Sequence, residues 1–209
     1  MEPIKESTQM AKKELKSMLK RSLHYSHELL KEVINPGDTV VDATMGNGND
    51  TLFLAELVGE DGYVHAFDVQ EQALENTSQI IKEHHYEKQT KLHLTGHENL
   101  GAVIDITEQI SAAVFNLGYL PKSDKSIVTN EATTIKALEE LLLRLKELGR
   151  IVLVIYDGHD AGKIEKQKVL NFVESLPQDV YSVLSYQFIN QRNNPPSLIC
   201  IEKKPQKHL

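Results

Sequence analysis

The chain has 209 residues, of which 40% are apolar and 25% charged, and its formal net charge is −7. This composition predicts one α/β domain with a sizeable core, and the acidic balance excludes a protein that coats nucleic acid by bulk attraction, although not one with a local basic face. Because no apolar run has the roughly 18 residues of a membrane span, and the single Cys200 permits no internal disulfide, we expect a cytoplasmic protein.

The first 17 residues form a polar extension, which we expect to be a loosely held helix or a disordered arm ahead of a domain spanning residues 18–209. A basic cluster marks the junction. RNA binding and a solvated helix face explain this cluster about equally well. Its members are Lys12, Lys13, Lys16, Lys20 and Arg21.

A helix is predicted from Leu19 to Ile34, because apolar residues recur there at helical spacing and Asn35-Pro-Gly follows. A helix that leads into a doubly wound sheet commonly lies across the ligand site. His24 and His27 are therefore candidates for substrate contacts, and the alternative is that they are simply solvated.

The segment from Thr39 to Thr51, TVVDATMGNGNDT, predicts a buried strand, a glycine turn and the start of a helix. Gly46 and Gly48 let the backbone approach a ligand closely, and the helix N-terminus behind them offers free N–H groups. Thr51 occupies the place where a dinucleotide fingerprint requires a third glycine, so the pattern does not favour a dinucleotide.

Two carboxylates narrow the choice of ligand. Asp42 lies four residues before Gly46, where it suits a cationic ligand better than a pyrophosphate. Asp68 ends a second predicted strand, 20 residues beyond Gly48, and a carboxylate at that separation can accept both ribose hydroxyls. A ligand that combines adenosine with a positive charge is S-adenosylmethionine, which is therefore the predicted cofactor. The alternative is an ordinary strand-to-helix turn with exposed carboxylates.

This segment resembles the cofactor-binding half of class I methyltransferases, and the resemblance extends to Asp42, Gly46, Gly48 and Asp68. A third strand, Lys91–Leu94, leads into Gly96, His97 and Glu98, which are candidates for the adenine side; the alternative is a helix N-terminus carrying Glu98. The other cofactor candidates are Thr44, Asn47, Asn49, Asp50, Thr51, Gln70 and Asn116.

A fourth strand, Ala112–Phe115, delivers Asn116-Leu-Gly-Tyr to the same edge. Methylation of an amine requires acceptors that hold its N–H bonds, which Asn116 can supply, and Tyr119 can stack on a planar base. The Asn-x-x-Tyr spacing is similar to the Asn-Pro-Pro-Tyr of amino-group methyltransferases. Gly118, Lys122 and Lys125 are candidates for substrate contacts, and the alternative is a strand that ends in a glycine turn and a connecting loop.

A periodic helix is predicted from Thr129 to Gly149, followed by a fifth strand that leads into Asp157-Gly-His159. The last two strands, near residues 180–188 and 197–202, enclose an Asn-rich segment. If the sixth strand is parallel and the seventh antiparallel, this segment also reaches the ligand edge; otherwise it is an ordinary turn. Its amides could read a base: Asn190, Gln191, Asn193 and Asn194.

Four stretches together resemble the MnmM/YtqB-like family, labelled rRNA methylases, over residues 18–204: DATMGNGNDTLFLA, FNLGYLPKSDKSIVTNEATT, IYDGHDAG and NQRNNPPSLICIEK. The resemblance implies a Rossmann-like, doubly wound α/β sheet of seven strands with an antiparallel last strand. It also implies methylation of 5-aminomethyl-2-thiouridine at the tRNA wobble position, with S-adenosyl-L-methionine as cofactor and the anticodon stem-loop of tRNA as partner. We expect no metal and no membrane, and a homodimer is a reasonable expectation.

For this reaction we expect Asn116 to orient the amine, Tyr119 to stack on uracil, and His159 or Asp157 to take the proton, unless water does. Three other functions are compatible with the sequence. Two are enzymatic, namely rRNA methylation and methylation of a small-molecule amine. The third is a cofactor-binding regulator without chemistry.

Overall fold

The computed structural model describes residues 19–118, 129–158 and 160–206. The predictions for the N-terminal extension, Tyr119, Lys122, Lys125 and His159 lie outside these residues.

Seven strands form one sheet in the order β3-β2-β1-β4-β5-β7-β6. All neighbouring pairs are parallel except those of β7, which runs antiparallel to both β5 and β6. The predicted Rossmann-like sheet with an antiparallel last strand is confirmed. The strands are β1 (Thr39–Asp42), β2 (Tyr63–Asp68), β3 (Thr90–Leu94), β4 (Ile110–Leu117), β5 (Leu145–Ile155), β6 (Tyr181–Tyr186) and β7 (Ser197–Lys203).

Helices cover both faces of the sheet, with a short 3-10 turn at His97–Asn99. In the described part of the chain, no helix has the length and apolarity needed to span a bilayer. The helices are α1 (Ser22–Lys31), α2 (Asn49–Val58), α3 (Glu71–Glu83), α4 (Leu100–Val103), α5 (Glu131–Arg144) and α6 (Asp160–Glu174).

The core has two layers, one on each face of the sheet, and β4 contributes to both. Ala112 and Val114 pack on the layer that includes α1 and α2, whereas Ala113 and Phe115 pack on the layer that includes α5 and α6. All four residues are fully buried. A central strand of a parallel sheet is covered on both sides, which explains why β4 reads as a continuous apolar run.

The chain order reverses between β1 and β4, which are neighbours in the sheet. In open α/β sheets, ligands bind at the carboxyl ends of the strands beside such a reversal. The segments that follow β1, β2, β3, β4 and β5 meet at this edge.

The predicted boundary between the fifth helix and the fifth strand is wrong. The helix ends at Arg144 rather than Gly149, and Leu145 already pairs with Ile110 in the sheet. Gly149 lies inside β5, where a Cβ atom would come within 2.8 Å of the Ser111 carbonyl oxygen. The close approach of two strands therefore requires a glycine there, and it does not cap the helix.

Candidate functional site

Asp42 is the buried anchor of the loop after β1. Its Oδ1 accepts a hydrogen bond from the Thr44 backbone N–H (3.1 Å), and its Oδ2 accepts one from the Thr51 hydroxyl (2.7 Å). Burial, reinforced by the nearby charge of Asp50, raises the pKa of Asp42 to about 7. The side chain is fully buried and does not line the pocket. Its predicted direct contact with the cofactor is therefore corrected to a positioning role.

The two glycines of this loop have left-handed backbone conformations, with φ values of +51° at Gly46 and +80° at Gly48. A Cβ atom at Gly48 would lie 2.7 Å from Ile80 Cγ2 and 2.9 Å from Thr77 Cα, so the loop is packed tightly on α3. Gly46 lines the pocket and Gly48 does not. Gly48 thus brings the loop down onto the helix, and Gly46 faces the pocket.

Asp68 stands at the end of β2 with its carboxylate held by two backbone donors. The Gly46 N–H donates to Oδ2 (3.1 Å) and the Gln70 N–H donates to Oδ1 (3.0 Å). Each oxygen keeps a further acceptor site. A fixed carboxylate that lines the pocket can receive two hydroxyl groups of a ligand.

His97 presents a second acceptor. Its Nδ1 is 3.0 Å from the Ala43 carbonyl oxygen, and because a carbonyl can only accept, Nδ1 carries the proton. Nε2 is consequently a bare acceptor, and it is buried with no hydrogen-bond partner in the described part of the chain. Burial lowers the pKa of His97, which keeps the ring neutral.

A hydrogen-bond network lies at the carboxyl end of β4, and it joins Asn116, Asp50 and His27. Asn116 Nδ2 donates to Asp50 Oδ2 (2.6 Å), and His27 Nε2 lies 2.7 Å from Asp50 Oδ1. Because a carboxylate only accepts, the amide orientation of Asn116 is determined by this contact. Asn116 Oδ1 is buried and has no hydrogen-bond partner among the described residues, so it is an open acceptor there.

The backbone that follows Asn116 is held in place by hydrogen bonds between Gly118 and Thr129. Gly118 and Thr129 exchange hydrogen bonds: the Thr129 N–H donates to the Gly118 carbonyl (3.0 Å), and the Gly118 N–H donates to Thr129 Oγ1 (3.0 Å). That hydroxyl donates in turn to Glu165 (2.7 Å). Tyr156, whose backbone N–H donates to the Leu117 carbonyl, lies against Gly118.

These segments enclose a pocket of about 950 Å³. Its volume lies at the upper end of the range for small-molecule and cofactor sites. Of the predicted residues that the structure describes, most come together here, namely Thr44, Gly46, Asn47, Asn49, Asp50, Asp68, Gln70, Gly96, His97, Asn116, Gly118 and Asn194.

The other predicted residues within the described ranges do not line the pocket. Thr51 lies below the loop as a donor to Asp42, His27 lies behind Asp50, and Asp157 lies in a neighbouring cavity, where Lys166 donates to its Oδ2 (2.8 Å). Its ion pair and its position separate Asp157 from the pocket, so its predicted role as catalytic base is not supported. Also outside the pocket are His24, Asn190, Gln191 and Asn193, of which Gln191 lines the neighbouring cavity.

Sequence reasoning missed several residues that line the pocket, chiefly Leu23, Thr133 and Tyr156. Tyr156 is the first residue after β5, and a strand end at the ligand edge was the available signal. Burial, followed by the charge of Asp50, raises the pKa of Tyr156, which keeps the phenol neutral.

The charged side chains that line the pocket are all acidic. They are Asp50, Asp68 and Glu98, and no lysine or arginine among the described residues joins them. A cleft lined by one sign of charge favours ligands of the opposite sign. The pocket therefore suits a cationic ligand and disfavours a pyrophosphate.

Comparison with known proteins agrees with this geometry. A family model described as "Putative rRNA methylase" matches residues 64–202, which is more than half of the chain. The chain belongs to this family. It is thus a class I methyltransferase by fold and by family.

Three relatives of this methylase bear on its chemistry. A structure of a putative rRNA-methylase from Clostridium thermocellum is 47% identical, with a TM-score of 0.86, covering 88% of this chain and 98% of the other. A putative methyltransferase from Streptococcus mutans, solved in complex with SAH, is 42% identical, with a TM-score of 0.82, covering 89% and 99%. The tRNA (mnm(5)s(2)U34)-methyltransferase, chloroplastic, of Arabidopsis thaliana is 37% identical, over 88% of this chain and 70% of that protein.

Proposed function

We propose that this protein transfers a methyl group from S-adenosylmethionine to the aliphatic amine of a tRNA wobble uridine, converting 5-aminomethyl-2-thiouridine into 5-methylaminomethyl-2-thiouridine. The observation that carries the proposal is the Asn116 amide, which Asp50 orients so that its free oxygen can hold an amine N–H in an acidic pocket. The name of the Arabidopsis relative supports the choice of substrate. The cytoplasmic location and the homodimer stay predictions.

The pocket fits the proposed cofactor at three points. Asp68 offers its two restrained oxygens to the ribose hydroxyls, and His97 Nε2 offers an acceptor to the adenine amino group. The acidic lining suits the positive charge of the cofactor. When bound, S-adenosylmethionine supplies an electrophilic methyl group on a sulfonium centre.

Asn116 is proposed to position the amine. A buried acceptor without a partner costs about 1–3 kcal/mol, and a substrate N–H removes that cost when it arrives. An amine held through its N–H bond keeps its lone pair free for attack. Most of the rate enhancement then comes from this positioning.

An aliphatic amine is largely protonated at neutral pH and must lose a proton before it attacks. We assign the proton acceptor to Asp50, which lines the pocket beside Asn116, in place of Asp157. The proton passes from the ammonium nitrogen to the Asp50 carboxylate. His27 Nε2 donates to the other oxygen of Asp50 and holds the carboxylate in place, and the proton then leaves from Asp50 to water in the open pocket.

The rim of the pocket supports RNA rather than a small amine as substrate. Arg21 precedes α1 and Arg192 lies in the segment before β7; both are exposed, and neither has an ion-pair partner within the described ranges. The two segments are in contact, because the Ser22 hydroxyl donates to the Pro196 carbonyl. Two exposed guanidinium groups, each two residues along the chain from a residue that lines the pocket (Leu23 and Asn194), suit phosphates of a polynucleotide. The neutral ring of Tyr156 offers a surface for the uracil base.

The proposal is tested with tRNA from a strain that lacks this protein. Mass spectrometry should detect 5-aminomethyl-2-thiouridine in that tRNA, and expression of the wild-type protein should convert it to the methylated nucleoside. Asn116→Ala should fail to convert it while binding S-adenosylhomocysteine normally. Absence of the unmethylated nucleoside in the deletion strain would contradict the proposed substrate.

A further inference from the structure

A second cavity of about 330 Å³ lies beside the pocket. Its walls come from the end of β5, from α6 and from the segment that joins β6 to β7, and they include Asp157, Lys166, Gln191 and Ser197. Asn194 lines both cavities. A polynucleotide that places one base in the pocket therefore has a neighbouring nucleotide within reach of the second cavity.

Two polar groups at this cavity lack partners. Ser197 is 4% exposed, and its hydroxyl makes no hydrogen bond in the described structure. Oδ1 of Asp157 is also buried and has no partner among the residues that the structure describes, while Oδ2 receives a hydrogen bond from Lys166. Buried polar groups are nearly always paired, so both groups indicate a ligand that supplies the missing bonds.

The charges at the cavity exclude a phosphate as this ligand. Lys166 is already neutralised by Asp157, and the free carboxylate oxygen would repel an anion. The ammonium group still has N–H bonds to donate, and the carboxylate can only accept. A donor beside an acceptor matches the edge of a neutral nucleobase, which carries the same two functions.

The border of the cavity offers apolar surface for the faces of such a base. Ile189 is 90% exposed, and Phe188 packs edge-on against Tyr186 with ring centroids 5.8 Å apart. These two side chains give one side of the cavity an apolar surface on which the face of a base can lie.

We propose that the cavity formed by Asp157, Lys166, Gln191, Asn194 and Ser197 binds the nucleobase of a residue adjacent to the methylated uridine. This inference rests on the proposed function, since it requires an RNA substrate. The proposal assigns the Asp157–Lys166 pair to substrate binding, whereas the sequence predicted that Asp157 acts as a proton acceptor in catalysis.

The test combines removal of the base with removal of the side chains. Stem-loop RNAs carry 5-aminomethyl-2-thiouridine and an abasic residue at either its 5′ or its 3′ neighbour. For the wild-type protein, one of the two abasic RNAs should show a loss of kcat/KM of about tenfold or more. The variant Asp157→Ala/Lys166→Ala should show a similar loss with intact RNA, and no further loss with that abasic RNA.

Asp160→Ala/Lys163→Ala is the matched control, since it removes an Asp–Lys pair from the exposed start of the same helix. This control should respond to the abasic residue as the wild type does. Binding of S-adenosylhomocysteine and thermal unfolding report whether each variant is folded. Should the Asp157/Lys166 variant not fold, Ser197→Ala takes its place. It should show a smaller loss with intact RNA, and the abasic residue should then reduce its kcat/KM by correspondingly less than it reduces that of the wild type.

The outcomes separate the two proposals. If the wild type methylates no RNA, the proposed function and this inference both fail. If the wild type methylates intact and abasic RNAs equally well, or if the variant retains the full sensitivity to the abasic residue, the cavity does not bind a base and the proposed function stands.

Discussion

Asp50 is the residue through which we would test the architecture of the site. Its carboxylate accepts from Asn116 Nδ2 at 2.6 Å and from His27 Nε2 at 2.7 Å. Asp50→Ala removes both contacts and frees the Asn116 amide to rotate. A hydrogen bond to a charged group contributes about 1.5–3 kcal/mol, so loss of the bond that orients Asn116 should by itself lower kcat/KM for RNA about 10- to 150-fold, and loss of the proton acceptor should add to this.

The assay is single-turnover methyl transfer to stem-loop RNA, with binding of S-adenosylhomocysteine measured separately by calorimetry. Asp50→Asn keeps an acceptor but loses the charge, so it should fall between wild type and Asp50→Ala. Asp61→Ala is the matched control, because Asp61 is an exposed aspartate in the turn between α2 and β2, and it should stay within about twofold of wild type.

A double-mutant cycle decides whether Asp50 and Asn116 act together. Groups that act as a unit have strongly non-additive effects. Asp50→Ala/Asn116→Ala should therefore be within about fivefold of the worse single variant. If the two losses multiply, or if folded Asp50→Ala retains wild-type activity, the reasoning about this network is refuted.

Three further predictions follow from the loop, the buried carboxylate and the rim. Gly48→Ala should lower the free energy of unfolding by about 2–5 kcal/mol, because the new Cβ atom adds backbone strain and overpacking. Gly37→Ala is the control: it has φ +90° but no atom within 4 Å of the new Cβ, so it should lose only about 1–2 kcal/mol. Thermal unfolding measures both losses, and equal losses would contradict the packing argument. Folded Asp42 holds its proton up to about pH 7, against an ordinary pKa of 3.8, so its contribution to stability is present at low pH and is lost as pH rises through about 7. Asp42→Asn lacks this titration, so urea unfolding should show it gaining stability relative to wild type between pH 5 and pH 8, and an unchanged difference would argue against the raised pKa. Arg192→Ala should weaken RNA binding and reduce the salt dependence of binding by about one counterion. Lys88 is exposed near the opposite edge of the sheet, so Lys88→Ala should change neither quantity. Equal effects of the two variants would show that Arg192 does not contact RNA.

The cofactor half of the site could be predicted because its signals are local. The β-branched residues of β1, the glycines after it and the spacing to Asp68 are all readable within 30 residues. The sequence could not distinguish residues that line the pocket from those that support it. Asp42 and Thr51 bond to each other below the loop, and this depends on how α2 packs against β1.

The errors have physical reasons. Leu145 continues the helical spacing of Leu138 and Leu142, so the apolar pattern does not reveal that the helix ends at Arg144. Only the pairing of Leu145 with Ile110 in the sheet shows where the strand begins. Asp157 lies at the predicted edge, but its partner Lys166 comes from the next helix, and that contact removes the aspartate from the pocket. Tyr156 was missed because side chains alternate between the two faces of a sheet only within the paired strand, and Tyr156 follows the last paired residue of β5.

The central claim is that this pocket methylates the amine of a wobble uridine in tRNA. The most direct test incubates the purified protein with trideuteromethyl-labelled S-adenosylmethionine and tRNA that contains 5-aminomethyl-2-thiouridine, followed by mass spectrometry of the nucleosides. We expect the label in 5-methylaminomethyl-2-thiouridine alone, with none after Asn116→Ala. Label in another nucleoside, or transfer to free small amines but not to tRNA, would contradict the claim.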